Sequence, residues 1–314
     1  MRILLFLASL LLVAAAPAAA QGLAAGEHKV RTPDGIELWY RVAGRHDGIP
    51  VLVLHGGPGE GSQAMQALGG PELEKRVRMV YLDQRGSGRS ERPKDSKFYS
   101  LALLASDIEL VRRALGIEKL VLLAHSAGTP IALEYAAAHP GHVAGLILTG
   151  AVPDFPAAVD ALCDRVAAVH PKLYPVAVAK AVPGRRCDPF GAFADDERQA
   201  FFDENMFPDP LVRERVNWLD HIPGIANSGE MGGALFQQGL LDYRFGRPER
   251  INMPLLFIAG GRDFQTPIAP QRALAARVPD GRVIVYSKAG HFMFADQPRR
   301  FAKDVAAFVR RVSR

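Results

Sequence analysis

Cysteine, net charge and long apolar runs are all scarce in this sequence, and each shortage removes a class of protein. Two cysteines in 314 residues, Cys163 and Cys187, cannot build a disulfide-rich scaffold or a zinc site with four thiolate ligands. There is no H-E-x-x-H and no other ligand cluster, so no metal or other cofactor is expected and chelators should leave activity unchanged. Lys and Arg exceed Asp and Glu only by 38 to 33. The one basic concentration, Arg310, Arg311 and Arg314, reads as a solvated helix end, so nucleic acid is not an expected partner. Past residue 20 no stretch approaches the roughly 20 apolar residues that span a bilayer, and there is no repeat or low-complexity tract. What remains, 48% hydrophobic and 23% charged, is the balance of a folded globular chain.

The amino terminus has its own logic. Arg2 gives a positive start, residues 3–16 are an apolar stretch, Pro17 breaks it, and Ala18-Ala19-Ala20 offers small side chains to a signal peptidase. Residues 1–20 are therefore expected to be a signal peptide cleaved after Ala20, leaving an exported, periplasmic or secreted protein with no stable membrane insertion. The alternative, an uncleaved anchor, suffers from the weakly hydrophobic alanines of its second half. Export would let Cys163 and Cys187 pair, adding about 3 kcal/mol by loop closure; two buried thiols remain the other possibility.

Apolar runs at 50–54, 79–82, 120–123, 143–148, 255–259 and 283–286 are short and continuous, as central parallel strands buried on both faces are. Pro33-Asp34-Gly35 between 29–32 and 36–43 reads as a hairpin turn. Helical stripes lie between the runs: Leu101, Leu104, Ile108, Val111 and Leu115 before Gly116, and Phe301, Val305, Phe308 and Val312 after Pro298. This alternation predicts an α/β fold, a mostly parallel central sheet flanked by helices. It halts over 152–249, a proline-punctuated stretch of helical pieces, expected to be a helical cap inserted over the strand ends. Residues 21–151 and 250–314 would form the core.

Leu120-Val121-Leu122-Leu123-Ala124-His125-Ser126-Ala127-Gly128 runs a buried strand straight into a serine and then a helix. A serine on that turn projects from the sheet end while the helix aims its N–H groups at developing negative charge. Ala124 stands where the G-x-S-x-G pattern has glycine, a difference of one methyl. A nucleophilic serine needs a base and an orienting acid, in the order Ser, acid, His at later strand ends. Asp263 and His291 occupy those positions. His55-Gly56-Gly57-Pro58-Gly59 follows the 50–54 strand, and its glycines allow the backbone to approach a substrate. Gly57 and Ala127 are assigned as the two N–H donors of an oxyanion hole. Pro58 has no N–H to give, and His55 and His125 are read as braces.

With these residues the chain resembles the α/β-hydrolase superfamily, and more closely the proline iminopeptidase-like serine hydrolases. Its carriers are His55 to Gly59, Asp83-Gln84-Arg85-Gly86-Ser87-Gly88-Arg89-Ser90, the Ser126 turn, Asp263 and His291. The resemblance covers about 28–151 and 250–312. It implies a Ser126–His291–Asp263 triad, a helical cap, and a structural role for the Asp83 loop. Iminopeptidases hold a free amino terminus with acidic cap residues, often in a Trp-x-x-Trp-Glu setting. Here Trp218-Leu219-Asp220 keeps one Trp and an acid, and Glu204 echoes another acidic segment, so Glu204, Trp218 and Asp220 are the candidate substrate-binding residues.

The expected function is a serine hydrolase acting through an acyl-enzyme, releasing N-terminal proline or a similar residue from small peptides. A carboxylesterase or lactonase on small esters is the alternative, and a non-catalytic binding protein on the same fold is a third class that the intact constellation disfavours. The expected partners are thus a short peptide or small ester, and the sequence sets no oligomeric state.

Overall fold

The computed structural model describes residues 23–314, so the expected signal segment lies outside the described residues. Eight strands follow in order: β1 Gly26–Arg31, β2 Glu37–Gly44, β3 Val51–Leu54, β4 Arg78–Asp83, β5 Leu120–His125, β6 Val143–Thr149, β7 Leu255–Gly260 and β8 Gly281–Tyr286. They form one sheet in the order β1-β2-β4-β3-β5-β6-β7-β8. β1, β2 and β4 pair antiparallel, and every pair from β4–β3 to β7–β8 is parallel.

The side-chain period of two sorts this sheet into two cores. Leu52, Leu54, Leu122 and Leu148 face one side, against Ile108, Val111, Ile131 and Tyr135. Val51, Val53, Val121 and Leu123 face the other, against Phe301, Val305 and Phe308. Each fully buried Leu or Phe contributes about 1.5–3 kcal/mol. The flanking helices start and stop where local chemistry dictates. Ser100 Oγ accepts from the Leu103 N–H at 3.2 Å to open Leu101–Ala114, and Gly116 ends it in a left-handed conformation, φ 66°. Pro298 opens Pro298–Val312. β8 departs from the expectation of strands buried on both faces: it is the sheet edge and is largely half-buried.

Between β6 and β7 the chain leaves the sheet. It forms helices Phe155–Val169, Tyr174–Ala179, Asp195–Met206, Pro210–Asp220 and Glu230–Gln237. Asp154 Oδ1 caps the first by accepting from the Ala157 N–H at 2.9 Å. This insertion has a small core of its own, Val159, Leu162, Val166, Ala177, Phe193 and Phe201, gathered around a Cys163–Cys187 disulfide with Cα atoms 6.0 Å apart. The two cysteines are thus a bonded pair rather than separate thiols. A Cys163→Ser/Cys187→Ser variant should lose about 3 kcal/mol of local stability. Hydrogen exchange should quicken across 155–207 and stay unchanged in β3 to β7; uniform change in both would contradict a separate insertion core. Among the described residues no helix is long and apolar enough to cross a membrane.

Candidate active site

The end of β5 is built for close approach. Ser126 has φ 50°, the only non-glycine residue in the left-handed region among those described. Its N–H donates to Thr149 O at 3.0 Å, tying the turn to the end of β6. A Cβ on Gly128 would lie 2.8 Å from both the Leu54 and His55 carbonyl oxygens, and one on Gly56 would lie 2.9 Å from the Ser126 Cβ. Loop and turn are therefore pressed together with no room for another methyl. Ala124, two residues before the serine, faces the interior opposite Leu54 and Leu148, where its methyl is accommodated.

Asp263 and His291 arrive from the ends of β7 and β8. Asp263 Oδ1 accepts from the Gln265 and Thr266 N–H groups at 2.9 and 3.0 Å. Its Oδ2 accepts from His291 Nδ1 at 2.8 Å and from the Thr266 hydroxyl. The His291 loop is gripped from two sides: its N–H donates to Met206 O of the insertion at 2.8 Å, and the Gly290 N–H to Asp296 Oδ2 of the core at 2.8 Å. Gly150, next to Thr149, would place a Cβ 2.9 Å from His291 Cε1, so the imidazole sits over the end of β6 beside the serine turn. Burial alone would favour the neutral imidazole. The Asp263 charge and hydrogen bond, with Glu60 adding to them, outweigh it and hold the His291 pKa above the ordinary 6.5.

His125 packs behind this imidazole, ring centroids 4.7 Å apart, with Nδ1 3.2 Å from Thr149 O. Burial holds it well below the ordinary histidine pKa, so it stays neutral. His55 braces the glycine loop to the Asp83 loop: Nε2 accepts from the Gln84 N–H at 3.1 Å, and Gln84 Nε2 donates to His55 O at 3.0 Å. Behind it Arg85 binds Asp107 through two 2.7 Å contacts, which makes Asp83 to Ser90 scaffolding.

A cavity of about 220 Å³ opens beside Ser126. Gly57, Pro58 and Ala127 form one rim, the insertion supplies Phe155, Phe190, Phe202 and Phe236, and no lining residue is charged. The Gly57 and Ala127 N–H groups make no backbone hydrogen bond among the described residues, and both residues line the cavity together with the serine. Gln265 also lines the cavity, with a buried Oε1 that has no partner.

The three candidate substrate-binding residues do not converge on this cavity. Glu204 is held by Arg165 at 2.7 Å. Trp218 is 69% exposed and lines a separate outer groove with Ala67 and Leu68. Asp220 is half-buried, with Oδ1 unpartnered. Its companion is a residue the sequence did not flag, Glu60, directly after the glycine loop. Burial and the Asp220 charge push the Glu60 pKa up to about 7, against a pull from His291. Burial also raises Asp220, and among the described residues no lysine or arginine offsets either carboxyl. Elsewhere, Glu109, His139 and His142 bring ligand atoms within 4.8 Å of one another, but the Glu109 carboxylate already accepts from Arg112, Arg113 and Tyr135, whose two guanidinium charges oppose a cation.

Residues 49–298 match the family described as alpha/beta hydrolase fold. A proline iminopeptidase of Neisseria meningitidis serogroup A is 29% identical over 82% of this chain and 87% of its own length. A probable proline iminopeptidase of Streptomyces coelicolor is 34% identical, with the match spanning 60% of this chain and 57% of that protein. Among solved structures, a proline iminopeptidase-related protein of Thermus thermophilus is 29% identical with a TM-score of 0.72, covering 91% of this chain and 98% of the other. An esterase from Exiguobacterium antarcticum shares the fold at 24% identity and a TM-score of 0.65, covering 90% and 98%. A strand order, a serine turn and a family match that all agree leave one placement: this chain belongs to the alpha/beta hydrolase fold family and is a proline iminopeptidase-like hydrolase.

Proposed function

We propose that this protein is an exported serine hydrolase that forms an acyl-enzyme on Ser126 and releases an N-terminal proline or similar apolar residue from short peptides. The layout of charge carries the reading. An uncharged, aromatic cavity beside Ser126 suits an apolar acyl part, and two carboxyls with no lysine or arginine beside them stand together, Glu60, which interacts with His291, and Asp220, which interacts with Glu60. Holding two interacting carboxyls partly out of water with no lysine or arginine beside them is costly unless a cation arrives, and the free ammonium end of a peptide, a secondary ammonium where proline comes first, is such a cation.

The chemistry then follows from position. His291 Nε2 takes the Ser126 hydroxyl proton as Oγ bonds to the substrate carbonyl carbon, and the Gly57 and Ala127 N–H groups receive the oxyanion. Collapse of the adduct breaks the C–N bond while His291 gives the same proton to the leaving amine. Water, deprotonated by His291, repeats the sequence on the acyl-enzyme and frees the acid. Asp263 stays ionised throughout and keeps Nδ1–H in place.

A second reading, a carboxylesterase or lactonase on small esters, is favoured by the lack of any charged residue in the cavity wall. The two separate in one experiment. The Glu60→Gln/Asp220→Asn variant should lose about 10- to 100-fold in kcat/KM on proline 2-naphthylamide, the scale of hydrogen bonds to a charged group. On p-nitrophenyl butyrate it should lose far less. Equal loss on both substrates removes the amine-binding role and leaves the esterase reading.

A further inference from the structure

The far end of the cavity is as informative as its mouth. Phe155, Ala158, Val159 and Leu162 line it from one helix face, at the spacing i, i+3, i+4, i+7. At 1.5 Å per residue this wall runs about 10 Å, from Phe155, packed on the sheet core, to Leu162 in the insertion core. Leu162, at the outer end, is next to Cys163, and the disulfide brings in Cys187 three residues before Phe190. Phe190 stacks on Phe202 with ring centroids 4.7 Å apart and planes 15° apart, and both rings touch the cavity. Phe190 is fixed in turn: Asp188 Oδ1 accepts from its N–H at 3.1 Å, and Arg198 Nε donates to its carbonyl at 3.2 Å.

We infer that the Phe190–Phe202 stack, held by the Cys163–Cys187 bond, is the end stop that limits the length of the acyl group on Ser126. The inference rests on the acyl-enzyme reading above. The acyl class it admits is apolar and compact. A cavity of about 220 Å³ lies below the roughly 300–1,000 Å³ of drug-sized sites, so it holds one acyl substituent and not a peptide. A charged side chain would be buried there without a partner. Phe202 is the adjustable half of the stop: it is half-buried, whereas Phe201 beside it is fully buried in the insertion core with Phe193.

The test is a series of p-nitrophenyl esters from acetate to decanoate with wild type, Phe202→Ala and Phe202→Trp, together with labelling by a fluorophosphonate probe. Relative to wild type, Phe202→Ala should raise the decanoate-to-butyrate ratio of kcat/KM by about 10-fold or more, and Phe202→Trp should lower it by a similar factor, since each methylene accepted or refused by an apolar pocket is worth about 10-fold or more. The opposite signs guard against a variant that is merely damaged. An unchanged ratio in both variants, with Ser126-dependent labelling intact, overturns the end stop alone. Absence of Ser126-dependent labelling and turnover in the wild type overturns the acyl-enzyme reading, and the end stop with it.

Discussion

Ser126→Ala is expected to cut turnover of p-nitrophenyl butyrate by about a million-fold while leaving the melting temperature nearly unchanged. The loss is that large because the proposed mechanism forms its covalent bond on this hydroxyl, while the other hydroxyl of the cavity lining, Thr266, is spent on Asp263. The stability is preserved because alanine keeps the turn: the N–H at 126 still donates to Thr149 O, and the methyl occupies the space the serine Cβ already held against Gly56. Roughly a thousand-fold acceleration over water should survive, supplied by the Gly57 and Ala127 N–H groups and by binding. His291→Ala should cost nearly as much as Ser126→Ala, and the double variant hardly more than either, since the two groups act on one proton. Fluorophosphonate labelling followed by mass spectrometry gives an independent readout, with the adduct on the peptide that carries Ser126. A near-wild-type rate in the alanine variant would remove the serine from the mechanism.

Much of this is legible in the amino-acid sequence alone, for reasons that differ from element to element. Strands buried on both faces cannot contain charge, so 120–123 and 255–259 stand out, and the ends of those runs mark where Ser126 and Asp263 lie. The strictness of Gly128 and the tolerance at Ala124 have one cause: the first abuts two carbonyl oxygens, the second faces side chains across the sheet. Pairings between distant segments are not legible. That β4 lies between β2 and β3 and that Glu204 is spent on Arg165 both depend on contacts the linear pattern does not encode. Glu60 is the instructive omission. In sequence it is a polar loop residue after a glycine. Its character comes from burial and from Asp220, which the insertion carries back from 160 residues away. The aromatic wall is hidden likewise, since Phe155, Phe190, Phe202 and Phe236 share no sequence period.

Asp263→Asn is the second large effect, about ten-thousand-fold in kcat at neutral pH, with a direction in pH that identifies its cause. The amide oxygen of asparagine can still accept from the Gln265 and Thr266 N–H groups, so the turn remains formed. The amide NH2 would face His291 Nδ1, however, and favour the tautomer with hydrogen on Nε2, which cannot take the serine proton. In the wild type the base must be neutral, so kcat/KM rises with pH through a His291 pKa that Asp263 holds above 6.5 despite burial. Removing the carboxylate leaves burial as the main influence, and the acid limb should move below its wild-type position. Stability runs the other way. A histidine whose folded pKa is raised contributes stabilisation that is complete below the unfolded value and is lost as pH climbs through the folded one. The wild type should therefore lose part of its stability above pH 6.5 just where activity is gained, and the asparagine variant should lack that loss. Urea midpoints and rate profiles between about pH 5 and 9 measure both. An acid limb that stays in place in Asp263→Asn would assign the raised pKa to Glu60 instead, and a Glu60→Gln profile would then carry the shift.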